Sequence, residues 1–168
     1  MRALLTAALC VTLVASAAGQ DVPLQYRVKA AFLYNFLKFV EWPPDAARRP
    51  LTICVAGESP FGSVLDDTLS GESLNGRAVS ARTVTTADPS CHVLFVPQDV
   101  PALPYLRGVR MSATPTVGER PDFLDNGGVI NFVAEGGSIR FQINRRAADR
   151  AGLRISSHLL RLARAEVS

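Results

Sequence analysis

The sequence predicts an α/β sandwich: one domain with a partly parallel sheet, an antiparallel hairpin toward its C-terminal side, and helices flanking the sheet. Three observations lead there. A long apolar stretch with helical spacing runs from Leu24. Short β-rich apolar runs then alternate with helical or turn-like stretches, the pattern of parallel strands joined by crossovers. Two alternating strands meet at Gly136-Gly137, a pair suited to a hairpin turn that needs positive φ. The 168 residues, 48% of them hydrophobic, suffice for one compact domain and are too few for two ordinary ones.

Taken in order, residues 1–19 (MRALLTAALCVTLVASAAG) have the parts of a secretory signal peptide. Arg2 is the positive n-region, Ala3 to Val14 the apolar core, and Ala15-Ser16-Ala17 the small-residue cleavage pattern. Cleavage is expected after Ala17 or Gly19, and the apolar run is too short for a permanent span. Cys10 follows bulky Leu9, a poor lipidation context, and leaves with the signal. Cys54 and Cys91 then remain. An oxidising compartment permits them to pair, and it equally permits two separate buried thiols.

In LQYRVKAAFLYNFLKFVEWPP, apolar Leu24, Val28, Phe32, Phe36 and Val40 recur every four residues, which predicts a helix ended by Pro43 and Pro44. Asp45 to Pro50 reads as a loop. Leu51–Ala56 reads as a strand, Gly57–Gly62 as a loop, Ser63–Leu69 as a short helix, and Arg77–Val84 and Cys91–Val96 as further strands. Pro101 and Pro104 keep any helix after Pro97 short. Thr114–Gly118 is a weaker strand, and Asp122–Asp125 fits one helical turn. Ile130, Phe132 and Ala134 alternate in one arm of the hairpin, Ile139, Phe141 and Ile143 in the other. Arg145 to Ser168 is helical in pattern, with Asn144 placed to cap it, Gly152 interrupting it, and Ser156 or Ser157 capping a last helix. The domain is expected over residues 22–168.

Composition and charge exclude several classes. Eighteen Lys plus Arg against fifteen Asp plus Glu gives a net charge of +3, too small to mark a nucleic-acid binder. Nothing resembles a coiled coil, a collagen-like chain or a multi-pass membrane protein. The chain has no nucleophile elbow, phosphate loop, dinucleotide fingerprint, H-E-x-x-H or C-x-x-C. Its two histidines, His92 and His158, lie far apart, and Asp66-Asp67 and Asp122/Asp125 read as solvated charges. The expectation is a non-enzyme without metal or cofactor. The loop after the first strand, with Gly57, Glu58, Ser59 and Gly62, lies where an open α/β sheet has its ligand crevice, and its backbone N–H groups are suited to an anion.

The ordered segments carry a resemblance. They are Y-R-V-K-A-A-F-L-Y-N-F-L-K-F-V-E-W-P (Tyr26–Pro43), L-T-I-C-V-A-G, C-H-V-L-F-V, T-V-G-E (Thr116–Glu119), G-G-V-I-N-F-V, I-R-F-Q-I-N and A-G-L-R-I-S-S-H-L-L-R-L-A (Ala151–Ala163). In this order they resemble a YfiR-family periplasmic protein over nearly the whole domain. The resemblance implies an exported inhibitor that binds the periplasmic part of an inner-membrane diguanylate cyclase and lowers cyclic-di-GMP. It also implies an outer-membrane lipoprotein that sequesters the inhibitor, a homodimer, and a disulfide between the cysteines matching Cys54 and Cys91. Such a role needs a surface with different affinity for two partner states, not catalytic residues. The aromatics and cation near the first helix and its exit, Tyr34, Lys38 and Trp42, are the expected contacts. The competing class is a periplasmic small-molecule sensor using the crevice at Gly57–Gly62.

Overall fold

The computed structural model describes residues 22–44 and 50–167. The expected signal peptide, Cys10 and most of the Asp45–Pro50 loop lie outside the described residues. Helix α1 (Leu24–Phe39) leads into a short strand β1 (Val40–Glu41). There follow β2 (Leu51–Ala56), α2 (Val64–Leu69), β3 (Ser73–Leu74), β4 (Arg77–Val84), β5 (Val93–Val96), α3 (Ala102–Gly108) and β6 (Thr116–Gly118). The hairpin strands are β7 (Ile130–Glu135) and β8 (Ser138–Asn144). Then come α4 (Arg145–Arg150), β9 (Arg154–Ile155), α5 (Ser157–Leu162) and β10 (Ala165–Val167).

The main sheet has the order β10-β8-β7-β6-β5-β2-β4-β3. The neighbours from β4 through β2, β5 and β6 to β7 run parallel, and β7–β8 is antiparallel. The expected α/β sandwich with its C-terminal hairpin is therefore present. Gly136 (φ 55°) and Gly137 (φ 77°) make the hairpin turn in the left-handed region that glycine enters at no steric cost.

Side chains alternate between two cores, one on each face of the sheet. Ile53, Val55, Val93, Phe95, Phe132 and Phe141 face the layer that contains α1. Cys54, Ala56, Leu94 and Val96 face α3 and Phe123. The first core is a chain of rings. Phe36 contacts Phe132 and Phe141, and Phe61 stands edge-on between Tyr26 (5.4 Å) and Phe95 (5.2 Å).

The structure departs from the sequence expectation in three respects. Helix α1 stops at Phe39, and Val40–Glu41 pairs antiparallel with Arg154–Ile155, while the Ser156 N–H donates to the Phe39 carbonyl. The every-four-residue row drifts around a helix of 3.6 residues per turn, so Leu24 is 75% exposed whereas Phe36 is fully buried. The segment after Asn144 is not all helical: Asn144 caps α4 and Ser156 caps α5, but Ala165–Val167 adds a strand parallel to β8.

Candidate functional site

The direction of the chain reverses next to β2. From β2 it crosses to β4 on one side, then returns to β5 on the other. Crevices in open α/β sheets form outside the carboxyl ends of strands at such a switch point. Here those ends lead into Gly57–Gly62 after β2, Pro97–Val100 after β5, and Glu119 after β6.

Phe61, fully buried, fills the centre of this region between Tyr26 and Phe95. Gly57 (φ 71°) brings its backbone so close to Val100 that a Cβ would lie 3.0 Å from the Val100 side chain. The Gly57 N–H donates to the Val84 carbonyl and the Phe61 N–H to Ser59 Oγ. Two donors of the expected anion cradle thus have partners in the chain itself. Ser59 and Gly62 line a shallow cavity of about 250 Å³ with Asp66 and Arg82, on the β4 side; Glu58 is exposed.

The strongest polar feature at this end of the sheet is a buried ion pair. Lys29 of α1 pairs with Glu119, and both side chains are 6% exposed. The second carboxylate oxygen of Glu119 accepts from the Tyr26 hydroxyl (3.2 Å) and the Gln98 N–H (3.0 Å). The Lys29 ammonium also lies 4.4 Å from the centre of the Tyr26 ring. Burial, then the charge of Glu119 and its hydrogen bond, push the Tyr26 phenol up to about 12. One carboxylate thereby ties α1 to the loops after β5 and β6. Sequence reading missed this group. The available signal was a lysine standing in the stripe Tyr26, Lys29, Ala30, Leu33, three and four residues apart, that otherwise turns inward.

The expected partner residues divide. Tyr34 and Lys38 come together on the outer side of α1, the Lys38 ammonium 4.0 Å from the centre of the Tyr34 ring. The Tyr34 hydroxyl donates to the Glu72 carboxylate, which is the main reason its phenol is raised to about 12. Lys38 is exposed and Tyr34 half-buried. Trp42 stands apart: it is half-buried, edge-on to the buried His92 at 5.7 Å, and its buried indole N–H has no acceptor among the described residues. It follows β1, whose Glu41 pairs with Arg154 of β9.

Cys54 and Cys91 form a disulfide, their Cα atoms 5.8 Å apart. Cys91 is placed by the turn that precedes β5. There Arg82 pairs with Asp88, and the Ser90 N–H donates to the same carboxylate. Hydrogen bonds from Arg82 first, then from Ser90, lower the Asp88 carboxyl to about 2.

Among the described residues no group of three or more His, Cys, Asp or Glu is placed to hold a metal ion. Nor is any helix among them long and apolar enough to cross a membrane.

A family profile described as YfiR/HmsC-like matches residues 26–164. The fold is similar to the crystal structure of a conserved domain protein from Vibrio cholerae, with TM-score 0.57 and 12% identity over 84% of this chain and 60% of that one. It is also similar to an ABC domain in complex with L-Trp from Streptococcus pneumonia, with TM-score 0.51 and 13% identity over 85% of this chain and 60% of that one. At such identities the likeness shows the fold alone, and the chain spans 60% of the length of either structure. No curated protein matches the chain.

Proposed function

The chain belongs to the YfiR/HmsC-like family, and from this premise we propose that it is a periplasmic regulator that binds the periplasmic part of an inner-membrane diguanylate cyclase. Bound, it holds the cyclase inactive and lowers cyclic-di-GMP. The family match over residues 26–164 is the observation that carries this reading. Members of the family are regulators rather than enzymes, and such inhibition is an equilibrium between partner states, biased by differential affinity.

In this reading residues 1–19 direct export and are cleaved, and the mature chain acts as a homodimer that an outer-membrane lipoprotein sequesters. The contact surface is centred on the outer side of α1. Lys38 supplies an exposed charge there, and Tyr34 a ring already held in one orientation by Glu72. An ordered aromatic loses little rotamer freedom on binding, which favours it as an anchor. Trp42, whose indole N–H has no acceptor among the described residues, lies at the exit of the same helix.

Deleting the gene tests the reading. Cyclic-di-GMP and biofilm are expected to rise, and expression of the full chain in trans is expected to restore them. An unchanged nucleotide level in cells that normally make the protein would reject the inhibitor reading in favour of a periplasmic small-molecule sensor.

A further inference from the structure

The cavity of about 370 Å³ between α3, α4 and the turn before β7 shares no lining residue with the crevice at Gly57–Gly62 or with α1. Its floor combines the buried apolar side chains Leu106, Val109, Val129 and Ala147, each at most 7% exposed, with the buried hydroxyls of Thr114 and Thr116. Its rim carries three guanidinium groups, Arg107 and Arg110 from the end of α3 and Arg150 from the end of α4. None of the three makes an ion pair or side-chain hydrogen bond among the described residues. Asp125 is the one carboxylate on the rim, so the lining bears an excess of positive charge. At the floor, the Thr116 hydroxyl accepts from the Val129 N–H (3.1 Å), and its own hydrogen has no acceptor among the described residues.

We propose that this cavity binds a small organic anion with an apolar body and two acidic groups. The volume lies at the lower end of the range for small-molecule sites, which couple an apolar lining to a few fixed polar groups. Three like charges around one opening repel each other, and a dianion removes that repulsion. Guanidinium groups present paired donors that match carboxylate or phosphate oxygens, so they orient a ligand as well as attract it. The apolar side chains of the floor take a ring or short hydrocarbon segment, and the Thr116 hydroxyl donates to an oxygen that reaches the bottom. Asp125 opposes the ligand, so the two acidic groups sit toward Arg107, Arg110 and Arg150. The site is separate from the surface proposed for the cyclase, and the proposal stands whether or not that reading holds.

Phthalate, a ring bearing two carboxylates, and inorganic phosphate are the probes, titrated against the folded, oxidised mature chain by calorimetry and amide NMR. Phthalate is expected to bind saturably, shifting the Thr116 and Val129 amides, and more tightly than phosphate. Arg107→Gln and Arg150→Gln are each expected to weaken it by about tenfold or more, the loss of one charge-assisted contact. Arg140→Gln, on an exposed strand position outside the cavity, is expected to leave it unchanged. These arginines are exposed, so the variants keep the fold. Phosphate binding as tight as phthalate, no saturable phthalate shift, or equal affinity in the Arg107 and Arg150 variants would each overturn the assignment.

Discussion

Asp88 shows how a single surface carboxylate couples the turn before the disulfide to pH. Its carboxyl is lowered from 3.8 to about 2 in the folded chain, by Arg82 first. A depressed carboxylate contributes stability above its unfolded value, and this is lost as pH falls through the folded one. We predict that the wild type loses stability between about pH 4 and pH 2 more steeply than Asp88→Asn, read as the urea midpoint at each pH. Parallel curves for the two proteins would contradict this. Glu119 sets a different test. Glu119→Gln keeps an acceptor for Tyr26 and Gln98 but leaves the buried Lys29 without a counter-charge. The expected cost is about 3–5 kcal/mol in the denaturation midpoint, and pairing the change with Lys29→Met is expected to recover much of it. A loss under about 1 kcal/mol in Glu119→Gln would show that water reaches the pair.

At the residue scale, the shared side of Tyr34 and Lys38 was legible because they lie four apart on a helix visible from its own spacing. The Lys29–Glu119 pair joins residues 90 positions apart, so no local pattern reveals the partner. What the sequence did offer was half of it, a lysine among inward-facing apolar residues. Arg107, Arg110 and Arg150 show the same limit. Nothing along the chain brings Arg150 to the end of α3.

At the scale of elements, local chemistry was readable and distant pairing was not. The start of helix α1, the Gly136-Gly137 turn and the caps at Asn144 and Ser156 depend on neighbours within a few residues, and each stands in the structure where the sequence points; the end of α1, set by pairing with β9, does not. Strand β10 depends on Gln142–Asn144, about twenty residues earlier, and three residues after a helix carry no period that reveals it. The small hairpin of β3 and β4 had a usable sign, Asn75-Gly76, whose φ values of 53° and 73° suit such a turn. The disulfide belongs to this scale because it ties the middle of β2 to the entry of β5. With a separation of 37 residues, the chain-entropy argument gives about 4 kcal/mol. Cys54→Ser, or reduction, is therefore expected to lower Tm by about 10 °C. Thiol titration of the unfolded, unreduced chain checks the bond itself. Two reactive thiols per mature chain would contradict it, and none, with a monomeric band on non-reducing gels, is expected.

For the whole molecule, the three-layer fold holds α1 with one side in the ring core and the other open. Leu24 and Val28, one turn apart, are exposed on that helix. The mature chain is therefore predicted to form a symmetric dimer that covers apolar surface of this kind. Light scattering at micromolar concentration is expected to give twice the chain mass, and a monomer alone would count against it. Mass spectrometry of the periplasmic form is expected to show a start between Ala18 and Asp21, whereas recovery of the Met1 form in the inner membrane would refute export with cleavage.

In the proposed function the chain represses a membrane cyclase by direct contact. The most direct measurement is the rate at which solubilised inner membranes from the deletion strain convert GTP to cyclic-di-GMP, titrated with the folded, oxidised mature chain. Repression predicts a saturable fall in rate, with the half-point shifted to higher concentration for a Tyr34→Ala/Lys38→Ala double variant of unchanged Tm. A rate that stays constant up to saturating protein would contradict the account.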